Sequence, residues 1–269
     1  MIASSLPNFL ANHPDLILVE VREAKGSTPR EAGAYMLVAP EALWGTIGGG
    51  QMELLAIEKA RAMLAEGEAE NELNLPLGPE IGQCCGGRVV IDLKRLGEEE
   101  RLRLLAREEK ARKELPQVFV FGAGHVGLAL AAALAPLPVA TTVVETRSDA
   151  IENLPSNVAG RLAALPEAVV AEIPTGGAAV ILTHDHALDF LIAREALARD
   201  DLAYVGMIGS ATKRATFESA MRREGFALER LARLILPIGG NAVRDKRPSV
   251  IAAMVAAELI AALLGRRDS

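Results

Sequence analysis

The segment running from Gln117 through Val-Phe-Val-Phe, Gly122-Ala-Gly124-His125-Val-Gly127 and on to Leu134 constrains the fold more than any other. Gln117 to Phe121 is apolar and β-favouring, which reads as a buried parallel strand. The glycines then match G-x-G-x-x-G, and from His125 apolar residues continue at helical spacing. Strand, glycine turn and helix stand in the order of a dinucleotide fold. In that reading Gly122 makes the tight turn, Gly124 lets a pyrophosphate approach the backbone, and Gly127 lets helix and strand lie close. The free N–H groups and positive dipole end at His125 would hold phosphate. The next strand, Ala140 to Glu145, ends in an acid 23 residues beyond Gly122. That is close to the roughly 20-residue offset of a ribose-binding carboxylate.

Strand–helix alternation then continues. Strands are expected at 178–182, 204–208 and 234–238, with helices at 187–198, 212–223 and 248–264. The last helix either packs on the sheet or pairs with a second subunit, and a homodimer is expected. Before this half lie a short helix within 1–13, strands at 16–21, 33–38, 43–47, 72–77 and 88–93, and a helix at 51–65. The charged stretch Gly97 to Glu114 reads as a solvated helix that links two domains or caps the first. The expectation is an α/β chain: a small α+β domain over 1–96, a charged helical linker over 97–115, and a Rossmann-like doubly wound parallel-sheet domain over 116–269.

Bulk properties narrow the function classes. The formal charge of −6 argues against a nucleic-acid binder that works by phosphate neutralisation. No apolar run approaches the roughly 18 residues that span a bilayer, so no membrane partner is expected. Met1 to Leu10 lacks a basic n-region and does not read as a signal peptide. The two cysteines, Cys84 and Cys85, are adjacent and form no disulfide framework, which fits a reducing cytoplasm.

Several clusters could carry chemistry. Thr46-Ile-Gly48-Gly49-Gly50-Gln51-Met-Glu53 places three glycines before a helix, either an anion cradle or a tight turn. No lysine follows, so it is not a Walker motif. Lys25, Thr28 and Arg30 occupy a neighbouring polar loop. Gln83, Cys84 and Cys85 lie between glycines; a thiolate there is a soft metal ligand, a nucleophile or a sulfur carrier, while small buried hydrophobes are the commoner fate of cysteine. Thr183-His184-Asp185-His186 follows a strand, at the sheet edge where ligands bind. His184 and His186 suit metal ligation or proton transfer, and capping serves equally. Ser210 and Lys213 open another helix, as phosphate contacts or as a cap with an exposed basic turn.

These motifs, in this order, resemble the XdhC/CoxI family of accessory proteins for molybdenum hydroxylases such as xanthine dehydrogenase. Lys25-Gly-Ser-Thr-Pro-Arg30, Gly45-Thr-Ile-Gly-Gly-Gly50 and Gly82-Gln-Cys-Cys-Gly-Gly87 resemble its N-terminal domain. Phe121 to Gly127, Thr183 to Leu188 and Val205 to Ser210 resemble its Rossmann domain. Two stretches differ from the family's usual pattern: Glu145-Thr-Arg147, where paired aspartates are frequent, and Gly239 to Pro248. Arg147 there could face a phosphate.

The resemblance implies a maturation factor without turnover of its own. It would bind molybdenum cofactor during sulfuration by a cysteine desulfurase, in a cleft between the domains, and deliver it to a xanthine-dehydrogenase-type apo-enzyme. Molybdenum-cofactor biosynthesis proteins would be further partners. Cys84 or Cys85 would contact molybdenum or its sulfur, Gly48 to Gly50 and Gln51 would cradle the phosphate, and Arg30 would be a charge partner. The Rossmann site could take NAD(P) or another nucleotide. The alternative is an NAD(P)-dependent oxidoreductase with His184 or His186 as proton donor.

Overall fold

The computed structural model describes residues 5–77, 86–240 and 242–265. Gln83, Cys84 and Cys85 therefore lie outside the described residues. The chain divides into two compact units, Met1–Lys110 and Ala111–Ser269.

The first unit contains helix α1 (Leu6–Asn12), strands β1 (Ile17–Lys25), β2 (Tyr35–Val38) and β3 (Leu43–Gly45), helix α2 (Gly50–Glu66), strands β4 (Glu70–Leu77) and β5 (Gly87–Arg95), and most of helix α3 (Glu98–Glu114). Its strands form an antiparallel sheet in the order β3-β2-β1-β5-β4. Strand alternation decides what covers each face. Ile17, Val19 and Val21 of β1, with Met36 and Val38 of β2, face the buried stripe Met52, Ala56, Ile57, Ala60 and Met63 of α2. Leu16 and Leu37 belong instead to the cluster of Leu6, Phe9 and Leu10 from α1 and Leu104 from α3. A register shift between Val21 and Glu23 interrupts β1, after which Ala24 packs with the α2 cluster. Gly67, with φ of 75°, terminates α2 in the left-handed conformation and donates to the Met63 carbonyl.

The charged helix α3 is held by the first unit. Leu104 is buried there, worth about 1.5–3 kcal/mol for a side chain of its size. Arg101 donates to the carbonyls of Leu10, His13 and Pro14, and Arg107 to Glu20 and the Gly33 carbonyl.

The second unit begins with β6 (Gln117–Phe121), α4 (His125–Leu134), β7 (Ala140–Glu145) and β8 (Ala159–Leu162). It continues through α5 (Pro166–Val169), β9 (Ala178–Ile181), α6 (His186–Ala198), β10 (Tyr204–Met207), α7 (Ala211–Arg223), α8 (Leu228–Ala232), β11 (Leu234–Ile235) and α9 (Pro248–Leu264). Its six strands run parallel in the order β8-β7-β6-β9-β10-β11. Read by chain position this is 3-2-1-4-5-6, the doubly wound dinucleotide topology, with the switch of direction between β6 and β9. One face carries α4 and α9, which contribute Leu130, Leu134, Ala252, Val255 and Leu259. The other carries Ile192, Ala193 and Leu197 of α6 and Phe217 and Met221 of α7. The last helix thus packs on the sheet side of its own unit.

Strand β8 and helices α5 and α8 were not expected from the sequence. Among the described residues, no helix is long and apolar enough to cross a membrane.

Candidate functional site

In the first unit, two motifs separated in sequence meet, and one of them also reaches the glycines that follow the cysteines. A Cβ on Gly48 would lie 2.9 Å from Pro29 Cβ and 3.3 Å from Arg30 Cγ, so the Lys25–Arg30 loop rests on the triple glycine. The same loop packs on the residues after the cysteines: a Cβ on Gly26 would be 3.2 Å from Gly87 Cα, and one on Gly87 would be 2.4 Å from the Ser27 oxygen. Ser27 and Gly86 form an isolated parallel bridge. Backbone approach this close admits only glycine at position 87. Nearby, Glu23, Lys25, Asn74, Arg88 and Val90 line a cavity of about 190 Å³. Arg88 Nε donates to Asn74 Oδ1 at 2.7 Å, and Lys25 pairs with Glu23. Arg30 and Gln51 are exposed.

The triple-glycine cradle already contains an anion. Glu53 Oε2 accepts from the Ile47 amide at 2.9 Å, the Gly49 amide at 3.0 Å and the Thr46 hydroxyl. Burial raises the Glu53 pKa, and these bonds from Thr46, Gly49, Ile47 and Gly48 outweigh it, leaving the carboxyl below its ordinary value. The anion cradle expected at Gly48 to Gly50 is corrected in part: the Gly49 amide serves Glu53, and Gly48 donates to the Thr46 hydroxyl. The first helical N–H groups, Gly50 and Gln51, remain at the start of α2.

In the second unit, Gly122, Gly124, His125 and Gly127 stand at the carboxyl end of β6 and the start of α4. Gly122 has φ of 113°, and a Cβ there would meet the Leu182 carbonyl oxygen at 2.5 Å. A Cβ on Gly127 would lie 2.0 Å from the Gly122 oxygen. A Cβ on Gly124 would meet nothing within 4 Å. Gly122 and Gly127 are thus required by packing, and Gly124 leaves open space over the helix start. His125 is exposed there.

Glu145 reaches the position expected of it, and its oxygens are already occupied. It is 4% exposed. Oε2 accepts from the Ala123 amide at 2.9 Å and Arg147 Nη2 at 3.1 Å; Oε1 accepts from the Thr146 amide at 2.8 Å and the Thr146 hydroxyl at 3.1 Å. Burial pushes its pKa up, but the Arg147 guanidinium and the Ala123 and Thr146 donors prevail and bring it down to about 2. As a free acceptor for ribose hydroxyls, Glu145 is corrected to a clamp on the glycine turn.

Lys213 also differs from its expected place. It is 9% exposed at the side chain and forms an ion pair with the fully buried Asp189. Its Nζ donates to the Ile208 carbonyl at 3.0 Å. Asp189 accepts in addition from the Thr183 amide at 3.0 Å and the Thr183 hydroxyl at 2.7 Å. An exposed phosphate contact at Lys213 is thereby replaced by a buried strut between α6 and α7. Sequence reasoning missed Asp189, whose signal was an acid on the apolar face of α6. Ser210 caps α7, accepting from the Lys213 amide, and Asp185 caps α6. His184 and His186 are exposed at the end of β9 and the start of α6. Among the described residues, no cluster of three or more metal-ligating side chains forms.

Comparison with known proteins follows this division. Residues 118–259 match the model of the XdhC Rossmann domain, and residues 10–74 match that of the XdhC and CoxI family. An uncharacterized protein of Escherichia coli K12, YqeB, is 28% identical over 255 residues, covering 90% of this chain. The chain spans 42% of the length of that relative. A crystal structure of a xanthine dehydrogenase from Bacillus halodurans superposes with a TM-score of 0.74 at 17% identity, covering 98% of this chain and 97% of that one. At that identity the likeness establishes the fold.

Proposed function

The chain belongs to the XdhC and CoxI family, and from that premise we propose that it is a maturation factor for a xanthine-dehydrogenase-type molybdenum hydroxylase. Its cargo in this reading is molybdenum cofactor, a pterin dithiolene with a phosphate, held during sulfuration and passed to the apo-enzyme. The family placement favours this role over the oxidoreductase reading.

The observation that carries the proposal is the packing of the Lys25–Arg30 loop on Gly48 and on Gly86 and Gly87. It ties Gly86 and Gly87, which follow Cys85 in the chain, to the start of α2. The donor set suits the cargo. Vicinal thiols match a soft, sulfur-bearing metal. Arg30 and the first amides of α2, at Gly50 and Gln51, match a phosphate. Glu53 already takes part of the cradle, so Arg30 supplies the compensating charge. The client enzyme, a cysteine desulfurase and the cofactor biosynthesis proteins are the partners this role requires.

The test is purification from cells that make the cofactor, followed by metal and pterin analysis. Wild-type protein should carry both, and the Cys84→Ala/Cys85→Ala double variant should lose most of each and fail to activate the dehydrogenase. A folded double variant with unchanged retention and activation would remove the cysteine role. Wild-type protein that carries neither would remove the cargo.

A further inference from the structure

We propose that the Rossmann unit binds a nucleotide bearing a phosphomonoester on its adenosine ribose, and that Arg147 is the recognition cation. The inference concerns the second unit alone and does not rest on the maturation role.

In a dinucleotide fold, the acid ending the second strand ordinarily accepts the ribose hydroxyls. Here that acid is Glu145, and its chemistry is directed inward. A carboxylate offers about four lone-pair sites. Glu145 fills them with the Ala123 amide, the Thr146 amide, the Thr146 hydroxyl and Arg147 Nη2, at 2.8 to 3.1 Å. Longer contacts from Arg147 N at 3.3 Å and Nε at 3.4 Å crowd the same oxygen. A ribose diol would have to break one of these bonds, and the residue is only 4% exposed. The fit to an unphosphorylated ribose is poor.

Arg147 has the complementary arrangement. Its Nε and Nη2 face Glu145, while Nη1 makes no hydrogen bond among the described residues. The side chain is 51% exposed. Two bonds to Glu145 hold the guanidinium at the carboxyl end of β7, with its outer edge directed away from the carboxylate. An always-charged, planar donor fork at this position suits a phosphate dianion. The pair with Glu145 carries no net charge, and Asp149 also acts on the guanidinium, so what Arg147 presents outward is the donor edge of an arginine already held in place.

The rest of the crevice fits the remainder of such a ligand. Gly124 leaves open space over the first turn of α4, where a pyrophosphate approaches backbone N–H groups. The Glu145 bond to the Ala123 amide fixes the turn that shapes this approach. Both 2′-phosphorylated dinucleotides and 3′-phosphorylated coenzyme A share pyrophosphate and ribose phosphomonoester, and the assay separates them.

Isothermal titration calorimetry of the full chain with 2′,5′-ADP, 3′,5′-ADP and 5′-ADP tests the proposal. One of the two bisphosphates should bind at least about tenfold more tightly than 5′-ADP, the scale of one charge-assisted contact. NADPH against NADH, and coenzyme A against its dephospho form, then assign the source. Arg147→Gln, which keeps an amide donor beside Glu145, should bring the preference to within about twofold, and Arg147→Lys should retain part of it. Equal binding of all three probes, a preference that survives in folded R147Q, or no binding at millimolar ligand would each overturn the assignment.

Discussion

Glu53 Oε2 lies 3.0 Å from the Gly49 amide nitrogen and so closes the triple-glycine turn from inside the helix that the turn begins. The same oxygen accepts from Ile47. Replacing Glu53 by Ala leaves both donors, and the Thr46 hydroxyl, without their partner. A loss of about 1–2 kcal/mol in urea unfolding is expected. The charge has a pH signature. Because the folded carboxyl titrates below its ordinary value, its contribution is present at neutral pH and drains as pH falls below that of a free glutamate. Glu53→Gln should therefore differ from wild type at pH 7 and approach it on acidification. A constant difference from pH 7 to pH 3 would refute the charged cap.

Glu145 gives the steeper case. Its folded pKa of about 2 lies below the ordinary carboxyl value of 4.5, so the charged form is favoured by folding. The stabilisation is complete above pH 4.5 and disappears as pH falls towards 2. Its size is about 2–3 kcal/mol. Glu145→Gln should lower stability by that order at pH 7, since the amide cannot accept from Thr146 and Arg147 together. Unfolding free energies measured between pH 7 and 2.5 should converge for the two proteins.

The buried pair of Lys213 and Asp189 invites a mutant cycle. Removing one partner of a buried ion pair costs about 3–5 kcal/mol, because the other is left charged in a low-dielectric site. Asp189→Ala also strands the Thr183 amide and hydroxyl, so it should cost at least as much as Lys213→Met. The double variant should be less destabilised than the sum of the singles by more than about 1 kcal/mol. Additive losses would show that the two side chains act separately.

What could be read from the sequence follows from what is local. The β6–glycine–α4 unit was legible because its constraints fall within a few residues: Gly127 packs on the Gly122 carbonyl, five positions back. The covered strands announced themselves as short apolar runs, alternating in burial in β1 and buried along their length in β9 and β10. Strand β8 gave no such signal, since Ala159, Gly160 and Leu162 are exposed at the sheet's edge. Charges were visible and their partners were not. Lys213 read as a surface cation, and only the folded chain brings it to an acid 24 residues away. Glu145 was placed correctly at its strand end; Thr146 and Arg147, which help to occupy it, are its chain neighbours, and only the Ala123 amide comes from a different turn. Capping of the first unit by α3 was one of two readings the sequence left open; its density of charge concealed the means, Leu104 and the carbonyls that Arg101 caps.

Gly124 and Gly127 should respond oppositely to the same methyl group. A Cβ on Gly127 would stand 2.0 Å from the Gly122 oxygen and 3.2 Å from Leu182 Cδ1, so α4 must move away from β6. Overpacking of this kind costs about 1–3 kcal/mol or more. Gly127→Ala should lower the unfolding midpoint and reduce nucleotide binding along with it. A Cβ on Gly124 meets nothing within 4 Å, and its backbone, at φ of −74°, is open to any residue. Gly124→Ala should keep stability within about 0.5 kcal/mol of wild type. The methyl would nonetheless occupy the space through which a pyrophosphate approaches the helix start, so affinity for a bound nucleotide should fall while the fold is unchanged. Paired thermal unfolding and calorimetric titration of the two variants separates packing from recognition. A Gly124→Ala protein with full affinity would place the phosphates elsewhere.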